Sequence, residues 1–403
     1  MMSVLIIGAG HAAGQLVASL RMEGYDGAIR IIGDEPYPPY QRPPLSKQLL
    51  SGDMELEQVY LKPGDFYETN GVELTLGKRV ESIDRSAKTV TLDDGETVAY
   101  DKLALTTGTR VRKLSIPGSD LNGIYYVRAI DDTLGLRAQF APGKKMVVVG
   151  GGYIGLEVAA AARKQGMDVT VLEMADRVMN RVVAPEVSAF YEKAHRDHGV
   201  TIVTDVLVSG FVGEGSVSAV SCEDGSTYEA DLAVVGVGVI PNIELAEAAG
   251  LKCDNGIVVD NTAQTEDPDI VSAGDCSNHP NGIFGINLRL ESVQNAVDQA
   301  KAAAKSICGK PEVYSAVPWF WSDQYDIKLQ IVGLSQGYDQ AVVRGNPIDA
   351  EFSVFYLREG TLIAVDAINS PREYMMGRKL VTEHAKPDPA RIADTGISVK
   401  ELV

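Results

Sequence analysis

Two short glycine-rich stretches carry the first chemistry that this sequence offers. Gly8-Ala9-Gly10-His11-Ala12-Ala13-Gly14 follows the apolar run Val4-Leu5-Ile6-Ile7, and Gly150-Gly151-Gly152-Tyr153-Ile154-Gly155 follows Met146-Val147-Val148-Val149. In each, a first glycine (Gly8, Gly150) turns a strand into a helix. A second (Gly10, Gly152) lets the backbone approach a pyrophosphate, and a third small residue (Ala13, Gly155) lets the helix lie close on the strand. The helix N-terminus adds unpaired N–H groups and a positive dipole end, both suited to phosphate. An acid stands about 20 residues on, where a ribose hydroxyl would sit: Asp34 or Glu35 in the first copy, Glu173 in the second. A single loop of this kind is a weak signal, because glycines also serve ordinary turns. Strand, glycines, helix and acid all present twice point to two dinucleotide sites.

Glu173 carries a further expectation. A carboxylate there accepts the adenosine 2′-hydroxyl and repels a 2′-phosphate, which favours NADH over NADPH. Arg177 lies four residues on and is the main objection, but beside Glu173 and Asp176 it reads as a solvated surface charge.

The elements that must position these residues repeat as well. Each copy has a second apolar strand, Ile29 to Ile32 and Val169 to Leu172. Gly71-Val72-Glu73-Leu74 answers Gly199-Val200-Thr201-Ile202, and the hairpin signal Asp93-Asp94-Gly95 answers Glu223-Asp224-Gly225. Asp101 to Leu105 answers Asp231 to Val235, and both matches end in glycine turns, at Gly108 and at Gly236 with Gly238. Fully apolar strands alternating with helices indicate an α/β architecture with parallel sheets buried on both faces. Further on, Asp269-Ile270-Val271 reads as a strand before Ala273-Gly274-Asp275, and a helix is predicted over Ser292 to Ile307. From Trp319 the pattern changes to short alternating segments, Lys328 to Val332, Gln340 to Arg344, Phe352 to Leu357 and Leu362 to Ala367. These predict a small antiparallel sheet. Lys386-Pro387-Asp388-Pro389 reads as an extended linker to the last residues.

Composition narrows the function classes. The 403 residues carry 55 acids against 37 lysines and arginines, a net charge of −18, which makes the chain a poor nucleic-acid binder overall. No run of about 18 apolar residues is present. The strand pattern begins at Val4, which leaves no room for a signal peptide. Cys222, Cys253, Cys276 and Cys308 form no CxxC pair, so neither a zinc knuckle nor a redox disulfide is indicated, and scattered cysteines fit the cytoplasm.

Five stretches go beyond a generic pair of dinucleotide sites. They are Gly8-Ala9-Gly10, Arg42-Pro43-Pro44-Leu45-Ser46-Lys47, Gly150-Gly151-Gly152-Tyr153-Ile154-Gly155-Leu156-Glu157, Gly274-Asp275-Cys276 and Trp319-Phe320-Trp321-Ser322-Asp323-Gln324-Tyr325. Together they resemble the FAD-dependent ferredoxin reductases of bacterial oxygenase systems, over nearly the whole chain. The resemblance implies a glutathione-reductase-like fold: an FAD domain split over 1–108 and 241–313, an NAD domain at 109–240, and a C-terminal α+β domain at 314–403. It further implies that Ala12, Asp34, Lys47, Val80, Arg128, Asp275 and Val293 contact FAD, with Arg128 at the phosphates and Asp275 at the ribityl chain. Glu157 would pair with Lys47 beside flavin N5, Tyr153 would help to gate the nicotinamide pocket, and Trp321 would sit near the flavin ring. Arg42, Gly108, Ile154 and Gly238 are expected at the cofactors too, and His11 is given no role.

The chain departs from the wider disulfide-reductase group at one point. Where those enzymes carry a cysteine pair, it has Pro43-Pro44-Leu45-Ser46-Lys47. Electrons must then leave the flavin directly. The expected activity is hydride transfer from NADH to FAD, followed by single-electron transfer to a [2Fe–2S] ferredoxin that supplies a cytochrome P450 or a Rieske oxygenase. Arg289, Lys301 and Lys305 are candidate contacts for an acidic ferredoxin, against the plain alternative of a solvated helix face. Two other readings compete: an NADH oxidase, which would usually need a reactive cysteine, and an NADH-responsive flavoprotein similar to apoptosis-inducing factor.

Overall fold

The computed structural model describes residues 2–402. The chain divides into two compact units, one made of residues up to Arg42 with Leu56–Arg110 and Val239–Pro318, the other of Pro43–Glu55, Val111–Gly238 and residues from Trp319 onward.

The first unit is built on a parallel sheet whose strands lie in the order Ile270–Ser272, Lys102–Leu105, Val4–Ile7, Ile29–Gly33, Val72–Leu76. Val4 to Ile7 is apolar at every position because both faces are covered. Val4 and Ile6 point into a core shared with Leu16, Leu20, Ala300 and Ala303 of the helices His11–Met22 and Val293–Ile307. Leu5 and Ile7 point the other way, onto Val80, Ile83, Val90 and Leu92 of an antiparallel sheet formed by Val80–Asp84, Thr89–Leu92 and Thr97–Ala99. The Asp93-Asp94-Gly95 signal is the turn of that sheet. Small residues on the facing helices, Ala12 and Ala13 on one and Ala296, Ala300 and Ala303 on the other, allow close approach.

The second unit repeats the plan. Its parallel sheet runs Thr201–Val203, Asp168–Leu172, Lys145–Val149, Leu232–Val235, Ile124–Tyr125, with equivalent strands in the same relative order. Val147 and Val149 pack on Phe211, Val217 and Val220 of the covering sheet Val208–Glu214, Ser216–Cys222, Thr227–Glu229. This unit also holds the predicted C-terminal sheet, with strands in the order Trp319–Gln324, Ile327–Gly333, Thr361–Ile368, Glu351–Arg358, Gln340–Asn346, all antiparallel. A helix that the sequence pattern does not announce, Pro371–Thr382, covers it. At Gly377 an added Cβ would come within 2.9 Å of Val365, so the helix lies almost on the sheet.

The tail differs from the predicted linker. After Pro387, Asp388 caps a short helix, Pro389–Ala393, and Ile392, Val399 and Leu402 are buried. The buried Arg344 guanidinium donates to the carbonyls of Ile392, Asp394 and Ile397, fixing three points of a segment that its prolines made look extended.

Asp366 is fully buried in the same sheet. The Tyr356 hydroxyl donates to its Oδ2 and accepts the Ala184 N–H at 2.8 Å, while Oδ1 has no partner among the described residues. Burial pushes this carboxyl from 3.8 up to about 7, against the opposing Tyr356 bond. The folded state thus keeps a proton that the unfolded chain loses. Stability should therefore fall as pH rises from 3.8 toward 7, by roughly 4 kcal/mol once the group ionises. Asp366→Asn removes the titration. Its Tm relative to wild type is expected to rise between pH 5 and pH 8, and a difference that stays constant over that range would contradict this account.

Candidate functional site

In the first unit, the strand Val4–Ile7 runs into Gly8 at φ +99, where a Cβ would lie 2.3 Å from the Thr106 carbonyl oxygen, so only glycine makes this turn. Gly10 is the N-cap of the helix His11–Met22 and offers no side-chain cap. The first-turn N–H groups are left for a ligand, and a Cβ at Gly10 would meet no protein atom within 4 Å. Backbone donors facing open space are what a dinucleotide pyrophosphate requires. His11 adds no positive charge there. Burial lowers its pKa to about 4, assisted by Arg42 and opposed by Asp275.

The structure separates the two acids that the sequence left as alternatives. Glu35 is held by Arg42 Nη2 at 2.8 Å and by the Tyr40 hydroxyl at 2.6 Å. Asp34, at the end of the strand Ile29–Gly33, is exposed and makes no hydrogen bond among the described residues, which leaves its carboxylate available. Ala12 and Ala13 are buried in the helix, and Val80 in the covering sheet. Gly108 is tied to Asn242 N–H at 2.9 Å. Asp275 follows Gly274, whose N–H is fixed by Gln299 Oε1 at 2.9 Å. Val293 begins the helix capped by Ser292, whose Oγ accepts Asn295 N–H.

The expected basic contacts sit beside acids. Lys301 pairs with Asp298 at 2.8 Å, Lys305 with Glu312, and Arg289 with Glu291 at 2.8 Å. The thiols of Cys253 and Cys276 are raised by burial, Cys253 to about 11, so neither presents a thiolate near neutral pH.

In the second unit, Gly150 turns at φ +108, with a Cβ placed 2.5 Å from Gly236 O. Gly152 caps the helix Tyr153–Lys164 without a side-chain bond and faces open space, as Gly10 does. Gly155 packs so tightly that a Cβ would stand 2.1 Å from Gly150 O. Glu173 ends the strand Asp168–Leu172, and its two oxygens accept Gly151 N–H at 2.7 Å and Ala175 N–H at 2.8 Å. These bonds lock the carboxylate against the glycine loop. Arg177 donates to Val183 O, Asn180 O and Ser188 Oγ, so its guanidinium is committed to its own loop. Ile154 is exposed, and Gly238 turns at φ +102 with its carbonyl accepting Arg112 N–H. The Tyr153 ring lies 4.9 Å from Phe320, and its buried hydroxyl has no partner among the described residues.

The same unit brings Lys47 and Glu157 together. Pro43–Ser46 forms a 3-10 turn that delivers Lys47, and Glu157 lies on the buried face of the helix Tyr153–Lys164. Lys47 Nζ stands 2.8 Å from Glu157 Oε2. Ser46 Oγ donates to the same oxygen at 2.5 Å and Ser322 Oγ to Oε1 at 2.6 Å. Glu157 is 2% exposed, so three donors replace its lost water. Sequence reasoning gave neither serine a role. Strand alternation was the available signal for Ser322, since it places Phe320, Ser322 and Gln324 on one face and Trp319 and Trp321 on the other. Trp321 is half-buried beside Trp319, at 5.7 Å. Arg128 starts the turn before the helix Ile130–Arg137, where Asp132 Oδ2 accepts its N–H at 3.0 Å.

Comparison with known proteins gives the family and the fold. Residues 2–300 match the pyridine nucleotide-disulphide oxidoreductase family and residues 319–403 a reductase C-terminal domain. The chain is 43% identical to putidaredoxin reductase of Pseudomonas putida, covering 100% of this chain and 96% of that one. It is 44% identical to rhodocoxin reductase of Rhodococcus erythropolis, covering 99% and 94%. Its fold superposes on the crystal structure of the covalent putidaredoxin reductase–putidaredoxin complex with a TM-score of 0.96, covering 100% of this chain and 98% of that one at 43% identity. The glutathione-reductase-like fold and the resemblance drawn from the sequence are both borne out. The chain belongs to the pyridine nucleotide-disulphide oxidoreductase family, in the branch that holds these ferredoxin reductases.

Proposed function

We propose that this protein is an NADH-dependent ferredoxin reductase, with FAD at the first glycine loop and NADH at the second. The observation that carries the proposal is the combination of two open glycine loops with the buried Lys47–Glu157 pair and a cysteine-free segment from Arg42 to Lys47. FAD, when bound, would supply the redox chemistry, two-electron acceptance from NADH and one-electron release. The chain's own residues bind and orient. Gly8, Gly10 and the first turn of the helix hold the FAD pyrophosphate, Asp34 the ribose, and Asp275, Val293, Val80 and Arg128 the rest of the cofactor. Gly150, Gly152 and Glu173 hold NADH, with Tyr153 bordering its nicotinamide. Lys47 supplies positive charge to the reduced ring, and Glu157 moderates it. The domain limits 1–108 with 241–313, 109–240 and 314–403 follow this division of labour.

The acceptor is a [2Fe–2S] ferredoxin serving a P450 or Rieske oxygenase. Support comes from the relatives, one of which is crystallised in covalent complex with putidaredoxin. Among the described residues no helix is long and apolar enough to cross a membrane, and all four cysteines are free, which supports a place in the cytoplasm.

Anaerobic NADH is expected to bleach the purified yellow protein, and cytochrome c reduction should depend on an added [2Fe–2S] protein. A colourless protein that stays so with FAD would overturn the assignment. NADH should exceed NADPH in kcat/KM by at least about tenfold, because Glu173 is locked beside the loop and Arg177 is already occupied. Equal use of the two would refute that part.

A further inference from the structure

The carboxylate of Glu157 is the end of a longer chain of hydrogen bonds within the second unit. Ser322 donates to it, Gln324 Nε2 donates to Ser322 Oγ at 3.2 Å, His195 Nε2 stands 2.8 Å from Gln324 Oε1, and the Tyr325 hydroxyl stands 3.0 Å from His195 Nδ1. His195 lies in the last turn of the helix Pro185–Asp197, and Tyr325 in the turn after the strand Trp319–Gln324. Ser322, Gln324 and His195 are each at most 2% exposed. The chain comes out at Tyr325, whose ring stacks on exposed His198 at 3.7 Å and 10°.

One end fixes every proton along the way. A carboxylate only accepts, so Ser322 must donate to it, and its oxygen is left to accept from the Gln324 amide nitrogen. That orientation turns Gln324 Oε1 toward His195, which must carry its proton on Nε2. Nδ1 is then bare and takes the Tyr325 hydroxyl proton. Burial keeps His195 neutral by lowering its pKa to about 4, and it raises that of Tyr325, which keeps the phenol a donor. Four donors in series therefore all point toward Glu157, and bonds aligned in this way polarise one another in a dry interior.

We propose that Ser322, Gln324, His195 and Tyr325 are positioning residues that act in series on Glu157 and thereby set how much of the Lys47 charge remains for the flavin. This rests on the function proposed above. With its donors removed, Glu157 draws more strongly on Lys47, and reduced flavin is less favoured.

The test is a spectrophotometric redox titration of the FAD-loaded protein as wild type, Ser322→Ala, Gln324→Met and Tyr325→Phe. Expected is a graded shift to more negative potential. Ser322→Ala should change the oxidised-to-reduced ratio at fixed potential about tenfold, or about 30 mV for two electrons. Gln324→Met should change it less, and Tyr325→Phe least. Ser322→Thr should restore the wild-type value. Tyr325→Phe removes only a terminal hydroxyl, so it reports even if a buried substitution fails to fold. A second readout needs no cofactor: nitrogen NMR of ring-labelled histidine should show His195 as the Nε2–H tautomer, and Ser322→Ala should mix the two. If wild type binds FAD and bleaches with NADH, yet Gln324→Met and Tyr325→Phe keep its potential, the series is overturned. A wild type that takes up no FAD would instead overturn the functional assignment and leave the NMR readout to decide the chain.

Discussion

Lys47→Met is expected to give a folded, yellow protein that NADH reduces about 100-fold more slowly than wild type. Methionine keeps the apolar stem but removes the charge that stands 2.8 Å from Glu157. Only 10% of the lysine side chain is exposed, so bulk water cannot replace the charge. Glu157 stays buried with two hydroxyl donors in place of three partners. Losing one member of a buried pair costs about 3–5 kcal/mol when nothing else compensates. Ser46 and Ser322 should keep the loss near the lower end, and a thermal melt measures it. Stopped-flow absorbance near the flavin maximum measures the rate. Glu157→Gln in the same background should recover part of the stability and none of the rate, because the amide needs no cation but supplies no charge. A Lys47→Met protein reduced within about twofold of the wild-type rate would remove Lys47 from the mechanism.

The second large effect separates the two cofactors. Gly150→Ala places a methyl 2.5 Å from Gly236 O at φ +108, a backbone conformation that alanine avoids. The loop must shift, and the N–H groups at the start of the helix Tyr153–Lys164 move with it. Strain of this kind costs about 1–3 kcal/mol per residue. The expected protein holds FAD with a normal spectrum, is reduced by dithionite, and shows a KM for NADH raised by about 5- to 150-fold. Gly8→Ala, where the contact is 2.3 Å from Thr106 O, should do the opposite and yield colourless protein. If both variants lose flavin, or neither loses NADH, the assignment of one cofactor to each loop fails.

Most of the architecture could be read from the sequence because the chain says it twice. Buried parallel strands are apolar at every position, and glycine turns with acids at fixed distances are local signals, so Val4–Ile7 and Lys145–Val149 were visible as equivalents. The C-terminal strands followed from alternation. The helix Pro371–Thr382 did not, since its burial depends on Gly377 lying against Val365, a contact that no local pattern encodes. The tail was misread for a related reason. Proline and aspartate near residue 388 look extended until a distant arginine, Arg344, gathers the carbonyls beyond them. In the site, the acids proposed to hold nucleotides were legible by spacing. What distinguishes Asp34 from Glu35 was not, because it turns on which acid Arg42 and Tyr40 capture. Ser46 and Ser322 are separated from Glu157 by 111 and 165 residues, and only the folded chain shows the three together.

The strand Trp319–Gln324 turns Phe320 to Tyr153 and Ser322 to Glu157 on one side, and shows its indoles on the other. Its length is therefore less free to drift over evolutionary time than its side chains are. Gaining or losing one residue in the tight bend at Tyr325 would exchange the two sides at once, presenting tryptophan to a carboxylate and serine to the face that now holds the indoles. Length changes here should be tolerated only in compensating pairs, while point substitutions can accumulate one by one.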